Sequence, residues 1–97
     1  ALAGSAPAYA YLFIDAMARA GVKHGLNKQD AVRIAAQTVS GSAQMVLASK
    51  DSPMDLVDQV ASPGGTTIAG YLAMEKSGFS SAVVDGLDAT IAKELGE

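Results

Sequence analysis

The chain has 97 residues, a net charge of −3, no cysteine and one histidine. The length allows a single domain, and an acidic chain without a basic run is unlike nucleic-acid binders, which present a basic face to phosphates. The absence of cysteine excludes disulfides, and a single histidine leaves no zinc cluster. No apolar run approaches the roughly 20 residues that span a bilayer. We therefore expect a cytoplasmic protein with no metal, nucleic-acid or membrane partner.

The first predicted helix begins after Ser5, a candidate N-cap, with Pro7 in its first turn. Apolar residues then continue to Val22. The sequence KHG at 23–25 predicts the end, because cationic side chains suit a helix C-terminus and glycine adopts the left-handed conformation that stops a helix.

The second predicted helix begins at Asn27, with Asp30 three residues on, and continues to Ser49. At about 22 residues and roughly 33 Å it is the longest element. Its apolar residues, which do not fit one stripe, are Ala31, Val32, Ile34, Ala35, Ala36, Val39, Ala43, Met45, Val46, Leu47 and Ala48. A helix that is apolar nearly all round must be enclosed, and an alanine-rich chain of this length has little to enclose it with. We therefore expect a second chain to complete the shell.

Three shorter helices follow. Ser52 caps the first of them, with proline and a carboxylate in its first turn, and it reaches Ala61. Residues 66–77 form the fourth, which Gly78 ends, and residues 79–95 form the fifth. No strand pattern competes, so the sequence predicts an all-α fold: a compact bundle of about five helices, interlocked with a second subunit.

The segment 62–70, SPGGTTIAG, is a glycine-rich turn that leads directly into the fourth helix. Proline and two glycines permit a tight turn, and the threonines place hydroxyls where the helix begins. The N–H groups at a helix start attract a carboxylate or phosphate without a lysine or arginine. It is not a nucleotide P-loop, which needs a lysine after its second glycine, and no strand precedes it as a dinucleotide fingerprint requires.

Four separated segments resemble one family. They are GSAPAY at 4–9, AGVK at 20–23, AQTV at 36–39 and, above all, SPGGTTIAG at 62–70 followed by Gly78 and Phe79. Together they are similar to the C-terminal half of pyrroline-5-carboxylate reductase, and the resemblance covers essentially the whole chain. The family commonly has glycine where this chain has Ala6.

The resemblance implies that residues 1–97 are a C-terminal helical dimerisation and substrate-binding domain, in a homodimer or a ring of dimers. The family's Rossmann domain, which binds NADPH or NADH, is absent from this chain. The complete enzyme reduces 1-pyrroline-5-carboxylate to L-proline, the last step of proline biosynthesis, and we expect the isolated chain to bind no cofactor and to be inactive. Cofactor-binding residues within the chain are unassigned.

Carried onto this sequence, the family's substrate pocket matches Ser62, Gly64, Gly65, Thr66 and Thr67. Their amides and hydroxyls would hold the substrate carboxylate, and Thr67 is the candidate catalytic residue, with a hydrogen bond near the imine. No general acid is assigned. The alternative is a non-catalytic helical dimerisation module that retains the fold. A dinucleotide-binding domain upstream in the parent protein would distinguish the enzyme from the module.

Overall fold

The computed structural model describes residues 2–96. This part of the chain contains five helices and no strand, which confirms the predicted all-α fold class. The helices are α1 (Ala6–Lys23), α2 (Lys28–Ala48), α3 (Pro53–Val60), α4 (Thr66–Lys76) and α5 (Phe79–Glu94). Within the same residues, none of the helices has the length and apolar character that crossing a membrane would require.

The helix ends lie within a residue or two of the predicted positions because local signals set them. Ser5 is the N-cap of α1, although its side chain makes no capping hydrogen bond, and α1 ends at Lys23 before a left-handed Gly25 with φ of 106°. Asn27 caps α2, where its side-chain oxygen accepts a 2.9 Å hydrogen bond from the backbone N–H of Asp30.

A complete capping box starts α3. The Ser52 hydroxyl accepts a 3.2 Å hydrogen bond from the backbone N–H of Asp55, and the Asp55 carboxylate accepts one of 3.2 Å from the backbone N–H of Ser52. Two donors that a helix start leaves unsatisfied are thereby paired. The predicted serine cap is confirmed.

The described chain divides into two units, the first of which, Leu2–Lys50, contains α1 packed against α2. Its buried residues are small: Ala18 of α1, and Ala31 and Ala35 of α2. Gly21 allows close approach, since a Cβ there would lie 3.2 Å from Leu26 Cδ1 and 3.3 Å from Ala31 Cβ. The fully buried positions of the two helices are therefore alanines, Gly21 allows the close approach, and larger side chains such as Ile14 and Val32 are only half-buried.

One acidic residue ties the two helices of this unit together. Arg19 Nε donates to Asp15 Oδ2 at 2.7 Å, and Lys28 Nζ of α2 donates to Asp15 Oδ1 at 3.0 Å. These two bonds, that from Arg19 first, hold the pKa of the Asp15 carboxyl below its ordinary value because they favour the ionised form.

The second unit, over residues 51–96, contains α3, α4 and α5. A short turn joins α4 to α5 at Gly78, whose φ of 88° is accessible to glycine at little cost. The Ser80 hydroxyl donates a 2.6 Å hydrogen bond to Glu75 Oε1 across this turn. Gly78 thus ends α4 as predicted, and a side-chain bond supports the turn.

Candidate functional site

The glycine-rich segment forms a hydrogen-bonded turn. The backbone N–H of Gly65 donates to the carbonyl of Ser62 at 3.0 Å, and between them lie Pro63 and Gly64. Gly64 has a φ of 71°, which side chains other than glycine rarely adopt. Proline followed by a positive-φ glycine is the arrangement of a type II turn, so the residue types at these two positions follow directly from the backbone they form.

The turn brings the Ser62 side chain against Gly65. A Cβ built on Gly65 would lie 2.6 Å from Ser62 Oγ and 3.2 Å from the Ser62 carbonyl oxygen, so only glycine fits without a shift. The two glycines therefore have different roles. Gly64 supplies the backbone angle, and Gly65 leaves room for the hydroxyl of Ser62.

Gly65 is also the N-cap of α4, and no side chain caps this helix. Thr66 and Thr67 are its first two residues, both exposed. The N–H groups of a first helical turn have no partner within the helix, and they carry the positive end of its dipole. This start differs from those of α2 and α3, where side chains of the chain itself accept from the first turn.

The structure therefore gathers the five predicted site residues in one turn and helix start. Ser62 contributes an exposed hydroxyl, Gly64 and Gly65 shape the backbone, and two threonine hydroxyls follow. Within the described residues, no hydrogen bond involves the side chain of Ser62, Thr66 or Thr67. Hydroxyls and amides of this kind can hold a carboxylate by charge-assisted hydrogen bonds.

The predicted start of the fourth helix is confirmed. Thr66 is the first helical residue, so the threonine hydroxyls lie where the helix begins, and Gly65 serves as the N-cap. The Gly65 φ of −83° and ψ of 178° are ordinary extended values, and glycine is among the residues that N-cap positions favour.

The acidic and imidazole side chains of residues 2–96 form no candidate metal site, since no three of them lie close enough to hold a metal ion. His24 is the C-cap residue of α1, and Asp15 is engaged with Arg19 and Lys28. The segment 62–70 therefore remains the candidate site for a small anion.

Comparison with known proteins finds similarity to one family over almost the whole chain. A family model described as pyrroline-5-carboxylate reductase dimerisation matches residues 1–96. The pyrroline-5-carboxylate reductase of Aquifex aeolicus is 45% identical over 93 residues, which cover 96% of this chain and 35% of that protein. The Escherichia coli enzyme of the same name is 45% identical over 92 residues, which cover 95% of the chain and 34% of that protein.

Two solved structures share the fold. The 1-pyrroline-5-carboxylate reductase of Streptococcus pyogenes has a TM-score of 0.91 and 50% identity, covering 93% of this chain and 35% of that one. A Plasmodium falciparum pyrroline carboxylate reductase, solved with NADP bound, has a TM-score of 0.91 and 38% identity. The match covers 95% of this chain and 37% of that one. The chain spans about a third of the length of these relatives.

Proposed function

Since the chain belongs to the pyrroline-5-carboxylate reductase family, we propose that it is the C-terminal helical dimerisation and substrate-binding domain of such an enzyme. The complete protein would reduce 1-pyrroline-5-carboxylate to L-proline in the cytoplasm. The observation that carries this proposal is the match of the dimerisation family model over residues 1–96, together with relatives of that name at 45% identity. Because the chain covers 35% of the Aquifex relative, the cofactor domain would lie in the rest of the protein.

The geometry of the glycine turn supports a role in holding the substrate carboxylate. The start of α4 has no side-chain cap, and the hydroxyls of Ser62, Thr66 and Thr67 lie exposed on either side of Gly65. The amide of Gly65 already donates to the Ser62 carbonyl and is therefore not open to the substrate, contrary to the sequence-based expectation. In the proposed complex, the Ser62 hydroxyl and the amide of Thr66 bind the acid group, while the Thr67 hydroxyl makes a hydrogen bond near the imine. An anion held in this way needs no basic side chain.

The hydride would come from NADPH or NADH, which would be bound mainly outside this chain. The NADP bound in the structure of the Plasmodium relative suggests this cofactor type. The cofactor supplies a hydride donor, and a protonated imine is already an acceptor. What remains for this chain is to hold the imine in a fixed orientation and distance, which can supply much of the rate acceleration. A pocket of hydroxyls and amides without a general acid is compatible with that task.

Self-association is the second part of the proposal, with at least a homodimer of interlocked helices. The family model that matches residues 1–96 is described as dimerisation, and this match supports the association.

The experiment is NAD(P)H oxidation, followed on addition of 1-pyrroline-5-carboxylate to the complete protein, its Thr67→Ala variant and the isolated chain. We expect activity in the complete protein, reduced activity in the variant and none in the isolated chain. A complete protein that binds neither cofactor nor imine would contradict the enzyme assignment and favour a non-catalytic dimerisation module. Normal kinetics in Thr67→Ala would remove Thr67 from the site.

A further inference from the structure

Gly70 lies in the interior of α4, where glycine weakens a helix relative to alanine. Two common reasons for a glycine do not apply to it. Its backbone is not in the left-handed region, unlike that of Gly64 or Gly78. A Cβ added at Gly70 would meet nothing within 4 Å, whereas one at Gly65 would crowd Ser62. Neither the backbone nor the packing of the second unit therefore requires a glycine at this position.

The position of Gly70 relative to the candidate site is fixed by the geometry of one helix. Gly70 follows Thr67 by three residues and Thr66 by four, and all of them belong to α4. Residues at these spacings are neighbours on a helix surface, with about 5–6 Å between their Cβ atoms. At about 3.6 residues per turn, position 70 lies between the other two positions when the helix is viewed along its axis. Gly70 therefore lies one turn beyond the two threonines, on the same face.

A side chain at position 70 would reach back over the threonines. The Cα–Cβ bond of a helical residue is tilted toward the helix N-terminus, and its side chain covers the surface over the turn before its own Cα. For position 70, that turn is the first turn of α4, which carries the hydroxyls of Thr66 and Thr67. The glycine thus leaves open the space over these two hydroxyls, and a larger residue would occupy it.

The proposed substrate has a part that needs such a space. Its carboxylate would bind at the Ser62 hydroxyl and the Thr66 amide, and its imine would lie near Thr67, so the ring carbons must lie beside these groups. The methylene groups of the ring are apolar and neither donate nor accept a hydrogen bond. What they require from the protein is room next to the few polar groups that fix the orientation of the molecule.

We propose that Gly70 is a specificity-determining residue of the substrate pocket, because the absence of a side chain there makes room for the ring of the cyclic imine. This inference rests on the proposed function and adds a residue to its site. Gly70 acts only through the space that it leaves over Thr66 and Thr67. A substitution at position 70 therefore acts on the binding of the imine, and not on that of the cofactor, which would be bound mainly outside this chain.

The test compares Gly70→Ala and Gly70→Leu with Gly86→Ala in the complete protein. Gly86 is the matched control, because it lies in the interior of α5 and a Cβ there would also meet nothing within 4 Å. All three substitutions favour the helix, so none should lower the melting temperature. We expect Gly70→Ala to raise the KM for 1-pyrroline-5-carboxylate about fivefold or more, and Gly70→Leu to raise it further. The KM for the cofactor should not change, and Gly86→Ala should leave both KM values unchanged.

Three measurements on each variant separate substrate binding from a structural role. Steady-state NAD(P)H oxidation gives the two KM values, thermal unfolding followed by circular dichroism gives the melting temperature, and sedimentation gives the oligomeric state. If the KM for the imine rises together with a lower melting temperature or weaker association, position 70 packs against protein rather than substrate, and the inference is wrong. An equal rise in Gly86→Ala would overturn it too, because the effect would then not depend on the place of the glycine.

The remaining outcomes distinguish the inference from the function beneath it. If the wild type reduces the imine and both variants at position 70 keep its KM, Gly70 has no part in specificity, and the proposed function stands. If the wild-type protein does not reduce the imine, the proposed function fails, and the role of Gly70 fails with it.

Discussion

The Ser62 hydroxyl occupies the space that a side chain on Gly65 would need, at 2.6 Å from the position of its Cβ. The two residues are also joined by the turn hydrogen bond from the Gly65 N–H to the Ser62 carbonyl. A side chain introduced at position 65 therefore displaces the Ser62 hydroxyl. Substitutions at these two positions can test whether that hydroxyl binds the substrate.

In the complete enzyme we expect Gly65→Ala to raise the KM for 1-pyrroline-5-carboxylate, because the new methyl group forces Ser62 Oγ to rotate away. Ser62→Ala should raise it about tenfold or more, the effect of losing a hydrogen bond to a charged group. Adding Gly65→Ala to Ser62→Ala should then raise the KM by less than Gly65→Ala does alone, since the Oγ at 2.6 Å is gone and only the Ser62 carbonyl oxygen at 3.2 Å remains close. Independent, fully additive effects would contradict the contact, and an unchanged KM in Ser62→Ala would remove the serine from the site.

The activity of the complete enzyme should depend more on the hydroxyl at position 67 than on the shape of that side chain. We expect Thr67→Val to lower kcat/KM for the imine by about tenfold to a hundredfold, because it is similar in size and lacks the hydrogen bond. Thr67→Ser keeps the hydroxyl and should retain most of the activity. Steady-state NAD(P)H oxidation measures both, with the KM for the cofactor as the control. Equal losses in the two variants would indicate a packing role.

The capping box of α3 predicts a stability difference between two serines. Ser52→Ala removes the acceptor for the Asp55 N–H and should lower the free energy of unfolding by about 1 kcal/mol. Ser5→Ala is the matched control, because Ser5 is also an N-cap but makes no side-chain capping bond, so its loss should be smaller. Urea denaturation of the complete protein measures both. A larger loss at Ser5 than at Ser52 would contradict the capping assignment.

Asp15 predicts a pH dependence. Its pKa is lowered in the folded state by the hydrogen bonds from Arg19 and Lys28, so its contribution to stability is present above the unfolded pKa and is lost as pH falls through the folded one. The urea midpoints of the wild type and Asp15→Asn should therefore differ near neutral pH and converge below about pH 4.

The size of that difference should respond to salt. The side chains of Asp15 and Lys28 are 41% and 45% exposed, so dissolved ions reach the pair and screen it. We expect added sodium chloride to reduce the difference between the wild type and Asp15→Asn at pH 7. A difference that does not shrink as the pH falls below about 4, or that is insensitive to salt, would mean that the ion pair is not its cause.

The sequence by itself determined the five helices, their approximate ends and the turn at 62–65. These features depend on residues within about four positions of each other. Ser52 and Asp55, three residues apart, form the capping box of α3. Gly78 adopts the left-handed conformation that ends α4, and Pro63 and Gly64 form the turn before Gly65. The residues of the candidate site could be named in advance because all of them belong to one such local segment.

Only the tertiary structure decided which faces are covered. The sequence indicated that α2 is apolar nearly all round, but not that burial would stop after Val39 while residues 40–48 stay exposed. Nor did it pair Asp15 with Lys28, or bring Gly21 against Ala31. Those contacts join residues of different helices, and their formation depends on how α1 and α2 pack, which no local pattern specifies.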